Sequence, residues 1–285
     1  MALVPFPNSP ARQDEESPQP YAPERGDASS PFGDEEDPLD GRMTFLEHLD
    51  ELRRRITHAV VALFVGFLAA FGFIERIVAF VYQRLIADVP GGKLIYTEPG
   101  EGFFLYIKIA AIAGLLIASP YVMFQVWLFI APGLYAREKK LAVPFVVSSS
   151  ALFISGAAFS HYILFPAAWR FFAGFTNEFI EFTPRIDPVF GLYMKLLLAM
   201  GLVFQMPVIM FVLARLGIVT AAFLLKNIKY AILLIFVVAA VVTPDGSMVV
   251  QTLMAAPMIV LYLLGILVAW LFGKSKKPDE DEGAA

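Results

Sequence analysis

Between Met43 and Arg55 the chain carries three carboxylates, Glu47, Asp50 and Glu51, and three consecutive arginines, Arg53 to Arg55, just ahead of an uncharged apolar run. Carboxylates at a membrane boundary accept charge-assisted hydrogen bonds, which makes this a receptor-like surface. Phe45, Leu46, Leu49, Leu52 and Ile56 recur at helical spacing, so one face lies on lipid while the charges meet water. Thr44 with Glu47 three places on reads as a capping box, which starts the helix there. Glu51 has Arg55 four residues on and Asp50 has Arg54, so each acid also has an ordinary partner one turn away, and for Asp50 that pairing is the preferred reading. Glu138 sits in a tight turn with no basic residue four positions away, and reads equally as a functional acid or a solvated one.

Other chemistry finds no footing. The chain has no cysteine, and His48, His58 and His161 are not at metal-ligand spacing with one another. Gly273-Lys274-Ser275 has the end of a phosphate-binding loop, but Val268 stands where that loop needs glycine and an apolar helix precedes it. No HExxH or GxSxG is present, so no enzyme is expected, and no cofactor.

The elements that must position these residues are membrane helices. Hydrophobic residues make up 58% of the chain and charged ones 17%, with a mean hydropathy of +0.67. Uncharged runs cover residues 56–74, 109–136, 141–169, 196–214, 230–244 and 246–273. About 20 apolar residues cross a bilayer core, so the reading is an all-α membrane protein of six transmembrane helices. Pro144 and Pro166 predict a third helix shorter than its run. The fifth, Tyr230 to Val242, is short for the hydrocarbon. The segments 75–101 and 166–188 are expected to form short helices lying on the far membrane face.

Thirteen basic residues crowd the side of the N-terminal helix against seven spread along the other side, which places both termini in the cytoplasm. The first forty residues hold ten acids against Arg12 and Arg25, a net charge of −8; the whole chain is −4, so the rest is +4. Residues 1–41 are therefore expected to be a disordered acidic cytoplasmic tail, without the pattern of a secretory signal. Residues 42–273 form the membrane domain and 274–285 a charged cytoplasmic tail.

Within the runs Gln125, His161 and Gln205 are the polar exceptions, and none holds Asp, Glu, Lys or Arg, which disfavours ion-coupled transport. Gln125 is expected to tie two helices together, His161 to be interfacial, and Gln205 to occupy a polar notch opened by a kink at Pro207.

Three stretches carry a resemblance in order along the chain: Phe45 to Arg55; Ser119-Pro120 followed by Phe124-Gln125-Val126-Trp127 through Ala131-Pro132-Gly133-Leu134-Tyr135; and Thr243-Pro244-Asp245 followed by Gln251-Thr252-Leu253 and Pro257-Met258. With Pro144 and Ser148-Ser149-Ser150 they resemble the TatC family, the multispanning subunit of the twin-arginine protein translocase, over Met43 to Phe272. The resemblance implies a receptor for signal peptides bearing paired arginines. It also implies single-span TatA and TatB partners and export of folded proteins across the inner membrane on the proton-motive force. Glu51 and Glu138 match the family's acids that meet the arginine pair, Arg53 the basic position beside them, and Phe129 and Leu134 the apolar positions. Gln205, Asp245 and Gln251 match intramembrane polar or partner-binding positions, while Pro120 and Pro132 are structural.

This chain departs from the pattern in places. Gln205 is neutral where relatives often have Glu, Ser247 competes with Asp245 for one acidic position, and Arg84 stands where some relatives have proline. Homo- and hetero-oligomers in lipid are expected, and nucleic acid is not an expected partner. Two alternatives are a secondary transporter with Gln125 and Gln205 at a midplane site, for which no inverted repeat is visible, and a scaffold without cargo.

Overall fold

A computed structural model describes residues 45–87, 89, 93–130, 142–176, 178–179, 182–243 and 247–273. Thr44, Pro132, Leu134, Glu138 and Asp245 lie outside the described residues, as do both tails. The described residues are helical nearly throughout: α1 Phe45–Gly72, α2 Ile74–Ile86, α3 Glu101–Ile130, α4 Ala142–Phe159, α5 Phe165–Ala173, α6 Ile186–Val203, α7 Met206–Arg215, α8 Ala221–Lys226, α9 Ile228–Val242 and α10 Met248–Phe272. A π-helical turn, Ser160–Leu164, joins α4 to α5 into one continuous span.

Five helical stretches are long and apolar enough to cross a membrane, and Ile228–Val242 is a shorter sixth. At 1.5 Å per residue its 15 residues reach about 22 Å against roughly 30 Å of hydrocarbon.

The helices differ from the uncharged runs at their ends. α3 begins at Glu101 rather than near Ile109, and α6 at Ile186 rather than near Leu196. Lys108 and Lys195, expected in loops, therefore ride on helices. The reason is that helix formation needs apolar contact on one face only, so a charged residue at an interfacial end is tolerated. The third span is not shortened by its prolines. Pro144 sits in the first turn, where amide hydrogens have no intrahelical acceptor, and the π turn ahead of Pro166 absorbs the other.

Both far-side segments hold helix, α2 in the first and most of α5 at the start of the second, where it continues the third span. α2 buries Val78, Val81 and Leu85, a stripe at helical spacing, against the core. The described residues after Ala173 form no helix before Ile186; Ile95 and Arg185 instead make an isolated bridge, with Ile186 N donating to Ile95 O at 2.9 Å.

α1 packs antiparallel to α3 through small residues. A Cβ on Gly114 would stand 2.5 Å from Phe67 N, and one on Gly66 would stand 2.5 Å from Gly114 O, so the two backbones touch where only hydrogen fits. The rest of α1 shows lipid a row of exposed Val60, Phe64, Val65 and Leu68. Pro120 interrupts the α3 ladder by removing the donor for Leu116 O, and Ser119 Oγ donates to that carbonyl at 2.8 Å. The Ser-Pro pair thus keeps a proline inside a continuous span.

Candidate functional site

Antiparallel packing of α1 on α3 brings the first turns of α1 to the last turns of α3. His48 stacks on Phe129 with ring centroids 4.6 Å apart. Together with the Gly66–Gly114 contact this register sets Gln125 level with residues 52–55. α1 then presents two charged faces. Glu51, Arg55 and His58 are half-buried, whereas Asp50, Arg53 and Arg54 are exposed and line a shallow polar hollow with Thr57 and His58.

Glu51 is not an open carboxylate. Its Oε1 accepts from Arg55 Nη2 at 3.1 Å, with the two side chains 17% and 25% exposed. Asp50 and Arg54, the pair expected from their spacing, make no ion pair among the described residues. The pairing forms at Glu51 and not at Asp50 because partial burial raises the cost of leaving Glu51 alone, whereas an exposed i,i+4 pair gains only a few tenths of a kcal/mol.

Polar atoms near this end lack partners among the described residues. Glu51 Oε2, Arg55 Nε, His58 Nδ1 and Gln125 Oε1 are all buried without a hydrogen bond. Gln125 was expected to tie two helices through its amide; its buried oxygen makes no such bond. Buried polar groups are normally satisfied, so this cluster is a place where an incoming hydrogen-bonding group gains most.

The other intramembrane amides are engaged within the chain. Gln205 stands at the break between α6 and α7, 8% exposed, and its Nε2 donates to Ser149 O of α4 at 2.9 Å. The break beside Pro207 matches the expected kink, but the amide fills the notch by joining two helices. Gln251 Nε2 donates to Phe236 O at 2.9 Å, tying α10 to the short α9. Ser247 takes the N-cap position of α10 without a side-chain cap bond.

The sequence reading missed two arrangements. His161 is buried among other side chains, with Nδ1 2.9 Å from Tyr193 Oη and its ring stacked on Phe80. At the end opposite Glu51, Arg185 Nη2 donates to Glu101 Oε1 at 2.7 Å and Lys108 Nζ to Asp187 Oδ1 at 2.5 Å. Partners 84 and 79 residues apart leave no local signal, and the π turn that turns His161 inward has no simple sequence signature.

Among the described residues, five helical stretches long enough to cross a membrane and a shorter sixth define a multi-pass membrane protein. The family profile described as Sec-independent protein translocase protein (TatC) matches residues 47–257. The chain is 41% identical over 241 residues to the Sec-independent protein translocase protein TatC of Desulforapulum autotrophicum, covering 84% of this chain and 89% of that one. It is 43% identical over 233 residues to that of Koribacter versatilis, covering 80% and 86%. A crystal structure of the twin-arginine translocase receptor TatC superposes with a TM-score of 0.70 at 35% identity, over 78% of this chain and 98% of the other. A second, solved in the detergent DDM, gives 0.71 at 34%. The chain belongs to the TatC family, and its role is protein transport across a membrane.

Proposed function

We propose that this chain is the receptor subunit of a twin-arginine translocase in an inner membrane. It binds twin-arginine signal peptides at the end of the bundle where α1 begins, and assembles with TatA and TatB to export folded proteins on the proton-motive force. The observation that carries the reading is the junction of the α1 amino end with the α3 carboxyl end: a half-buried carboxylate, unsatisfied polar atoms and an aromatic pair meet there. An incoming guanidinium exchanges with Arg55 on Glu51 and reaches the unpaired Oε2. Exchange of like for like keeps a partly buried acid paired both before and after the peptide arrives. Glu138, eight residues beyond Ile130 in sequence, supplies the second acid, while Phe129 and Leu134 give apolar contact and Arg53 limits the approach of other cations. Both termini lie in the cytoplasm in this reading, so signal and site share a compartment.

The test is crosslinking of a twin-arginine precursor to membranes without the proton-motive force. Glu51→Ala and Glu138→Ala each remove an acceptor for a charge-assisted hydrogen bond, about 1.5–3 kcal/mol, and should weaken binding about tenfold or more. Asp50→Ala should matter little. Wild-type crosslinking in both single variants would remove the receptor site, even if export itself fails.

A further inference from the structure

The end of the bundle opposite Glu51 holds a cavity of about 600 Å³ between α5, α6 and the segment leading into α6. Its wall is apolar where Trp169, Phe172 and Leu192 line it, and cationic where Arg185 and Lys195 reach it. Arg185 is committed to Glu101 and Glu98, and Asp187, on the same wall, to Lys108. Lys195 makes no ion pair or hydrogen bond among the described residues.

Position makes that ammonium unusual. Lys195 stands nine residues into α6, about 14 Å along the helix from its start, and directly ahead of the uncharged run 196–214. A lone cation at the edge of an apolar span snorkels toward the interface or finds an anion. The cavity beside it offers an apolar slot, and Trp169 Nε1 adds a buried donor with no partner among the described residues. Gly191 leaves the wall open, since a Cβ built there meets nothing within 4 Å.

We propose that this cavity binds an anionic phospholipid of the leaflet opposite the amino end of α1, its phosphate held by Lys195 and its acyl chain lying along Trp169, Phe172 and Leu192. One amphiphile satisfies both observations: the unpaired charge takes the headgroup and the aromatic slot takes the chain. A free anion would leave the slot empty, and an uncharged lipid would leave Lys195 alone.

Native mass spectrometry of the full-length protein in mild detergent, supplied with phosphatidylglycerol or phosphatidylcholine of matched chains, tests the site. Wild type should retain phosphatidylglycerol about fivefold better, the effect expected of one basic residue near a lipid surface. Lys195→Gln should abolish that preference and Lys195→Arg should keep it. Gly191→Phe fills the slot and should lower retention of both lipids. Equal retention of the two lipids by wild type overturns the proposal, as does an undiminished preference in Lys195→Gln. Wild-type retention by Gly191→Phe, with an unchanged size-exclusion profile, places the lipid elsewhere and overturns it too.

Discussion

Where α1 ends and α6 begins, ion pairs join elements far apart in sequence: Arg185 to Glu101 and Lys108 to Asp187, beside the backbone bridge from Ile95. Where α1 begins, the pair between Glu51 and Arg55 joins residues one helical turn apart, while Arg53 and Arg54 point to solvent. Arg185 has its pKa pushed further up, chiefly by the hydrogen bond to Glu101, so its guanidinium stays charged across any ordinary pH. The far end spends its charges holding loops to helices. The near end keeps its charges within one helix, so a partner can exchange them without undoing the fold. This difference suits the proposed receptor, whose site would exchange partners at one end while the other end stays latched.

Parting α1 from α3 should damage this arrangement most, because their crossing sets the register of the near end. Gly114→Leu forces atoms into a backbone contact of 2.5 Å, and overpacking of this kind costs about 1–3 kcal/mol or more. Thermal unfolding in detergent should show a lowered midpoint, and precursor crosslinking should fall with it. A variant as stable as wild type would mean that the crossing is not held by close approach.

Gln205→Leu removes a bond between the α6–α7 break and α4, worth roughly 0.6–2 kcal/mol in a membrane. Stability should drop by that much while crosslinks to TatA and TatB persist, because the amide is engaged inside the chain. Crosslinks lost at full stability would show that Gln205 turns outward to a partner span.

Unlatching the far end sharpens the contrast. Arg185→Ala leaves Glu101, whose side chain is 6% exposed, without its cation. A cysteine replacing Tyr96 should then label faster from outside intact cells, while precursor crosslinking at the near end stays at the wild-type level. A fall in crosslinking would mean that the two ends are coupled. The same cysteine and one at Thr176 should label from outside, and one at Lys226 only after permeabilisation; the reverse pattern would invert the topology.

The smallest effect is expected at the amino terminus. Deleting residues 2–40 should leave export and protein level unchanged, since the acidic tail lies outside the matched residues 47–257. Lost export at normal abundance would give the tail a role.

Much of the architecture was legible in the chain. Apolar runs longer than a bilayer core must be helices there, because a backbone in lipid has no water to bond and satisfies itself within its own segment. The short fifth span, the helix starting at Phe45 and the break beside Pro207 follow from that rule and from proline's missing amide hydrogen. The helix in the first far-side segment was legible as well, since the apolar and aromatic content of a short segment is a local property.

What the sequence could not settle depends on neighbours. Asp50 and Glu51 differ by one position, and each has an arginine four residues on; burial against α3 makes the second pair form, and solvent leaves the first apart. Gln125, Gln205 and Gln251 are the same amide in apolar helices, yet one has an oxygen without a partner and two are bonded across helices. Their partners are carbonyls, which no side-chain pattern marks. By itself the sequence determined the number of apolar spans, the shortness of the fifth and the sequence positions of the charges, because these obey local hydrophobic and hydrogen-bonding rules. Tertiary structure alone decided which charges are paired, which amides are engaged and where a cavity opens, because each depends on a second helix arriving at a given register.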